Sequence, residues 1–431
     1  SFLMVRMFFK CFSNSLSATF AAFIFITIPL HDATLYWFLA QYLMLSFAFY
    51  SMSFYYAFQN RITLVYVYSF LGSFISYGST PIALGFSLYF LINKKYKQSA
   101  AIIFPNIVFI AYYIYIVKTG NAEDIRDIKI LDIQSFINSM SIQIGSALDV
   151  FPGPSGLLKI YFSLLENSLK TMSILSIFFV SIFFLKKDYG KDVKIDGTIV
   201  LSIAVLVVTA LAMFSITGFF PQLAFNLGNR VSIYYSFLIV VMILLLHNRY
   251  KNIHIFIVVI MVTSSVGLSN HWKKFNENQR NLIQTLSDKK YNLNLKDHIP
   301  RGQKNIFVTG EQYSNLGGIG HIEHLSTSHL SALFGVAGDA FLDYKLIPIN
   351  SKYDFTKEGL VDTKFNITYY QKKYVIYNVN ENKIYIKDEK SMKKFISSFE
   401  EIPRHWLQLL PADNFISNII LTLSPRLKYV F

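Results

Sequence analysis

Apolar runs of about 20 residues, the length needed to cross the hydrocarbon core of a bilayer, recur from Phe12 to Leu268. Such runs leave few folds open, because backbone inside lipid must satisfy its own hydrogen bonds and does so only in helices and closed barrels. Composition agrees: 53% of the 431 residues are hydrophobic and only 15% charged, with mean hydropathy +0.39, too apolar for a soluble protein of this size. The apolarity stops at Leu268, and Ser269 to Phe431 has the mixed composition of a soluble domain. The expectation is therefore a mainly α polytopic membrane domain over residues 1–268, followed by a small α/β extracytoplasmic domain over 269–431.

About nine crossings can be drawn. They are Phe12 to Leu30, Ala33 to Phe58, a hairpin of two short helices (Ile62 to Ser76 and Pro81 to Ile92) around Tyr77-Gly78-Ser79-Thr80, Gln98 to Val117, Leu157 to Leu185, Thr198 to Phe220, Val231 to Leu246 and Ile253 to Leu268. With this count the basic residues fall on one side: Arg6 and Lys10, Arg61, Lys94, Lys95 and Lys97, Lys186, Lys187, Lys191 and Lys194, and Arg249 with Lys251. By the positive-inside rule that side is cytoplasmic, so the N-terminus lies inside and the last domain outside. The formal charge of +14 then belongs to loops facing anionic lipid, and nucleic acid is not an expected partner. A single cysteine, Cys11, excludes an internal disulfide and any multi-cysteine metal site. The chain begins with Ser1 rather than Met and shows no secretory signal with a cleavage site, so an N-terminal piece is expected to be missing.

The outer loop at 119–156 is acidic, with Glu123, Asp124, Asp127, Asp132 and Asp149. Inside it Ile133, Phe136, Ile137, Met140, Ile144 and Leu148 recur at helical spacing, an apolar stripe that suits either the bilayer surface or packing against the outer domain. In the outer domain Asn305 to Thr309 and the pair Tyr374 to Asn378 and Lys383 to Lys387 read as strands, the pair as half-buried alternating ones. His271 to Tyr291 and Lys390 to Phe399 read as helices.

Ionisable residues at the membrane edge are the candidates for chemistry, since they are costly to keep there. Asp32, beside His31 at the end of the first run, can act as a general base on an acceptor hydroxyl or can simply cap the next helix. Tyr36 and Trp37 follow it, the aromatic types that favour the lipid–water boundary. Arg230 is the sole Arg or Lys in the loop PQLAFNLGNR, where a guanidinium can grip a phosphate in two-pronged fashion or anchor the helix by snorkelling. Asn226 and Asn229 add neutral donors there. Glu166 has a local partner in Lys170. His321, Glu323, His324 and His329, near Gly317-Gly318 and Gly310-Glu311-Gln312, match no metal-ligand spacing and no phosphate loop. No metal site and no cofactor are expected, with a divalent cation left open.

The stretch LHDATLYWFLAQYLMLSFAFY resembles a span of polytopic GT-C-like bacterial glycosyltransferases, including the glucosyltransferases that decorate O-antigen. FFPQLAFNLGNRVSIYYSFLIVV is similar to their late span, which an outward-facing arginine introduces. The resemblance covers roughly Phe12 to Leu268 and implies an inner-membrane enzyme of cell-surface polysaccharide assembly. The implied partners are a polyprenyl-phosphate-linked sugar donor, a glycan or lipid-linked acceptor on the periplasmic side, and the bilayer. It also implies a key carboxylate in the first outer loop, here Asp32 with His31 as catalytic residues, and Arg230, Asn226, Asn229, Tyr36 and Trp37 toward substrate. An O-antigen polymerase or ligase, and a lipid or polysaccharide flippase, are the alternative classes.

Overall fold

The computed structural model describes residues 1–36, 40–119, 133–151, 153–168, 171, 193–216, 222–225, 227–249, 251–287, 300, 304–309, 313–316, 319–323, 345–349, 353–356, 359–362, 367–378, 381 and 383–398. They fall into two compact units, one within Ser1–Asn270 and one within His271–Arg404.

The first unit is helical: α1 (Phe2–Lys10), α2 (Ser15–Thr27), α3 (Ala33–Tyr36), α4 (Gln41–Phe58), α5 (Ile62–Ile75), α6 (Thr80–Ile92), α7 (Tyr96–Lys118), α8 (Ile133–Val150), α9 (Pro154–Leu165), α10 (Gly197–Ile216), α11 (Ile233–Arg249) and α12 (Lys251–Ser287), the last running on into the second unit. Among the described residues three helices are long and apolar enough to cross a membrane: Tyr96–Ile116, Gly197–Ile216 and Gly228–Leu246. The count of nine is corrected for local reasons. Asn14 accepts the Ser17 amide and starts α2 afresh, and Pro29 ends it, leaving 13 helical residues where a full span was expected. The second run opens with the four-residue α3, and only α4, with 18 residues, continues it. In the run expected over 157–185, α9 stops at Leu165, and residues 172–185 lie outside the described part.

The short pair α5 and α6, of 14 and 13 residues, is about 20 Å long on each arm, well short of the roughly 30 Å apolar core. Its YGST turn is therefore enclosed by protein. Gly78 and Ser79 are buried, Tyr234 Oη donates to the Gly78 carbonyl (2.7 Å), and Asn106 Nδ2 donates to Ser79 Oγ (2.8 Å). Helices α4 and α5 meet along a seam of small polar residues. Ser46 donates to the Gly72 carbonyl (2.8 Å), Tyr50 bonds Ser73 (2.7 Å) and Ser53 bonds Ser69 (2.6 Å). The small side chains let the two helices approach closely, with hydrogen bonds across the seam.

Helix α8 reverses the usual amphipathic arrangement. Ile137, Ile144 and Leu148 are exposed, while Gln143, Ser146 and Asp149, one turn apart on a single face, are buried. The 37 residues of α12 form one continuous helix of about 55 Å, so the separate polar helix expected from His271 is a continuation of the apolar one. Gly267 does not break it, because its missing side chain lets the Ser163 carbonyl of α9 come within 1.7 Å of where a Cβ would stand.

In the second unit, β1 (Asn305–Thr309), β4 (Lys345–Pro348), β8 (Tyr374–Asn378) and β9 (Lys383–Lys387) form one sheet in the order β4-β1-β8-β9. β1 runs parallel to both neighbours, and β8–β9 is an antiparallel hairpin. The hairpin β2 (Tyr313–Leu316) with β3 (Ile319–Glu323), and the three-stranded meander β5 (Tyr353–Thr356), β6 (Gly359–Asp362) and β7 (Ile367–Tyr369), complete the described strands. β8 is not the half-buried strand expected from its sequence: Tyr374, Val375, Ile376 and Tyr377 are all buried, because β8 is an inner strand and β9 forms the edge. Phe307, Ile347, Tyr353, Leu360, Tyr369 and Ile376 build the core together with Met392 of α13 (Glu389–Ser397), whose first turn is capped by Asp388.

Candidate charge site

Pro29 sets the geometry that delivers Asp32. Ile28, forced into extended backbone before the proline, ends α2, and a single 3-10 turn over Pro29–His31 folds the chain inward. The Asp32 carbonyl then starts α3 by accepting from the Leu35 and Tyr36 amides (2.9 and 3.0 Å). A second 3-10 turn, Leu227–Ser232, packs against the first and supplies Asn229, and α9 supplies Lys159.

These three side chains meet away from water, with Asp32 1% and Lys159 and Asn229 0% exposed. Lys159 Nζ donates to Asp32 Oδ1 (2.6 Å) and to the Ala224 carbonyl (2.6 Å). Asn229 Nδ2 donates to the same Asp32 oxygen (2.5 Å), while its Oδ1 accepts the Ala33 amide (3.0 Å). Of the two roles open to Asp32, helix capping at Ala33 thus falls to Asn229, and the Asp32 carboxylate turns to the ammonium. Ser232 Oγ lies 2.5 Å from the Leu30 carbonyl and 2.7 Å from that of Asn229, tying the two turns together.

Lys159 is held in place from behind. Ser264 Oγ of α12 donates to the Ile160 carbonyl (3.0 Å), Asn167 Nδ2 donates to the Thr263 carbonyl (3.0 Å), and Gly267 lies against Ser163. A charge of either sign in this apolar unit is tolerable only as a pair with its remaining polar atoms bonded, and that is what the three partners provide. An ammonium has three N–H donors, and two of those on Lys159 are accounted for among the described residues.

His31, beside Asp32 in sequence, faces another way. Its Nδ1 bonds Ser236 Oγ (2.9 Å), its ring packs beside Phe25 with centroids 5.5 Å apart, and its buried Nε2 has no partner among the described residues. Tyr36 is half-buried next to Ser265 and Ser269 of α12. Arg230 is half-buried in the turn that holds Asn229, but the cation on Asp32 is Lys159. Glu166 caps the end of α9. Trp37, Asn226, Glu123, Asp124, Asp127, Asp132, Lys170, His324, His329, Gly317-Gly318 and Gly310-Glu311-Gln312 lie outside the described residues, as do the side chains of His321 and Glu323. Among the described residues no group of three His, Cys, Asp or Glu side chains could hold a metal ion.

Sequence reasoning passed over Lys159. The signal was present: a lone lysine inside GLLKIYFSLL is an ionisable group within an apolar run, which by itself asks for a partner. No family model, curated protein or solved structure matches this chain.

Proposed function

We propose that the chain is a glycosyltransferase of the bacterial inner membrane, moving a sugar from a polyprenyl-phosphate carrier to a glycan or lipid-linked acceptor at the periplasmic face. The observation that carries this reading is the Asp32–Lys159–Asn229 cluster, a carboxylate and an ammonium brought together at the ends of helices in an apolar unit. An ionisable pair buried among membrane helices is a functional-site candidate by default, because it is costly to keep there. In this reading Lys159 swings from Asp32 to the donor phosphate, and Arg230 adds charge from the adjacent turn. Asp32, released from its cation, accepts the proton of the acceptor hydroxyl. The acceptor oxygen bonds the anomeric carbon as the carbon–oxygen bond to phosphate breaks, and polyprenyl phosphate leaves with the electron pair. The basic loops face the cytoplasm, and the second unit lies outside the membrane.

The test is transfer of labelled sugar from polyprenyl-phosphate hexoses by the purified full chain in nanodiscs. Asp32→Asn is expected to slow transfer by about 100-fold or more. Undiminished transfer by Asp32→Asn would remove the assigned base, and no transfer from any such donor would refute the transferase. Complete burial of both charges favours one second reading, a lock between helices of a lipid-linked-glycan transporter. That reading predicts translocation of the lipid without transfer.

A further inference from the structure

The buried polar face of α8 is separate from the charge cluster and unused by the chemistry above. In a helix bordered by lipid outside and packed apolar side chains inside, no polar stripe would face inward, since each buried polar atom without a partner is costly. Yet Gln143, Ser146 and Asp149 face inward while the apolar stripe faces out. Opposite them stands Gln222, its backbone N–H donating to Ser146 Oγ (3.1 Å) and its side-chain Nε2 to Gln143 Oε1 (3.3 Å). Its Oε1 is buried with no partner among the described residues. Asp149, one turn along, accepts from Ser155 Oγ (2.5 Å) and lies within electrostatic reach of Tyr235. The Tyr235 hydroxyl is likewise buried with no hydrogen bond among the described residues, with Ser232 close beside it.

We infer that this face, with Gln222 and Tyr235, is a binding site for the hydroxyl groups of a sugar, and on the transferase reading it holds the glycosyl unit while the charge cluster takes the phosphate. The chemistry selects the ligand. A carboxylate and amide oxygens repel a phosphate, and an acyl chain would leave them unbonded. A sugar hydroxyl both donates and accepts, so it suits the Gln222 Oε1 acceptor and equally the Tyr235 hydroxyl. The two groups without a partner among the described residues are the ones a bound sugar would complete.

The experiment compares binding of polyprenyl phosphate, with and without an attached hexose, to the full chain in nanodiscs, alongside saturation-transfer NMR with methyl hexosides. Tyr235→Phe removes a hydroxyl with no hydrogen bond among the described residues, so the fold should keep most of its melting temperature. Tyr235→Phe and Gln222→Met are each expected to weaken the sugar-bearing lipid about tenfold and to leave the bare phosphate unchanged. Equal effects on both lipids, no effect on either, or hexoside signals that survive both substitutions overturn the site while leaving the transferase reading intact. Binding that appears only with added Mg²⁺ also overturns it, in favour of a cation site. Tyr235-dependent hexoside binding with no affinity for either lipid keeps the site and refutes the transferase instead.

Discussion

Replacing Lys159 by Met tests the charge cluster most directly. At 2.6 Å the pair attracts by roughly 6 kcal/mol at an effective dielectric of about 20, against several kcal/mol spent removing each ion from water. The intact pair is therefore near balance, but the variant is not. Asp32 would remain 1% exposed with the Asn229 amide on it and no ammonium, which costs about 3–5 kcal/mol. Asp32→Asn should cost a similar amount by stranding the ammonium. The double variant Asp32→Asn with Lys159→Met removes both charges and should recover most of the loss, leaving a coupling of about 3 kcal/mol or more. Thermal unfolding of the purified chain in detergent, followed by fluorescence, would read the singles as drops of about 5 °C and the double as far less than their sum. Additive losses would mean that the two charges do not meet in the folded protein, and the site would fail with them.

Gly267→Ala should lower the same melting temperature, because its new Cβ would sit 1.7 Å from the Ser163 carbonyl oxygen and push α9, with Lys159, away from α12. Gly267→Ala combined with Lys159→Met should then be less than additive, and full additivity would separate the glycine from the site. In the second unit, hydrogen bonds from Ser391 hold the Asp388 carboxyl below the usual carboxylate range. The depressed value means that the cap stabilises α13 fully above the unfolded carboxylate range and is lost as pH falls through the lowered one. Exchange of the Ser391 amide should accelerate across that acidic window in the parent chain, relative to its own intrinsic rate, but not in Asp388→Asn.

Much of the local structure was legible in the sequence. Asn305 to Thr309 became β1 residue for residue, whereas the first run, drawn to Leu30, stops at Pro29. Asp388 begins a helix because its carboxylate accepts the Ser391 amide three residues on, a local cap. Lengths were less legible, since the apolar runs that suggested full spans at Phe12 to Leu30 and Ala33 to Phe58 were broken by Asn14 and the short α3. Hydropathy averages over such breaks, whereas backbone hydrogen bonding does not.

What the sequence determined by itself was the set of short-range choices: apolar composition, prolines, caps and helical period, all decided within a few residues of chain. The charge site was decided by tertiary structure, because Asp32 reaches Lys159 across 127 positions and Asn229 across 197, and nothing local selects those partners. The orientation of α8 was decided there too. Its stripe has the same period whichever face turns inward, and only the polar partners on Gln222 and Ser155 put Gln143, Ser146 and Asp149 in the interior.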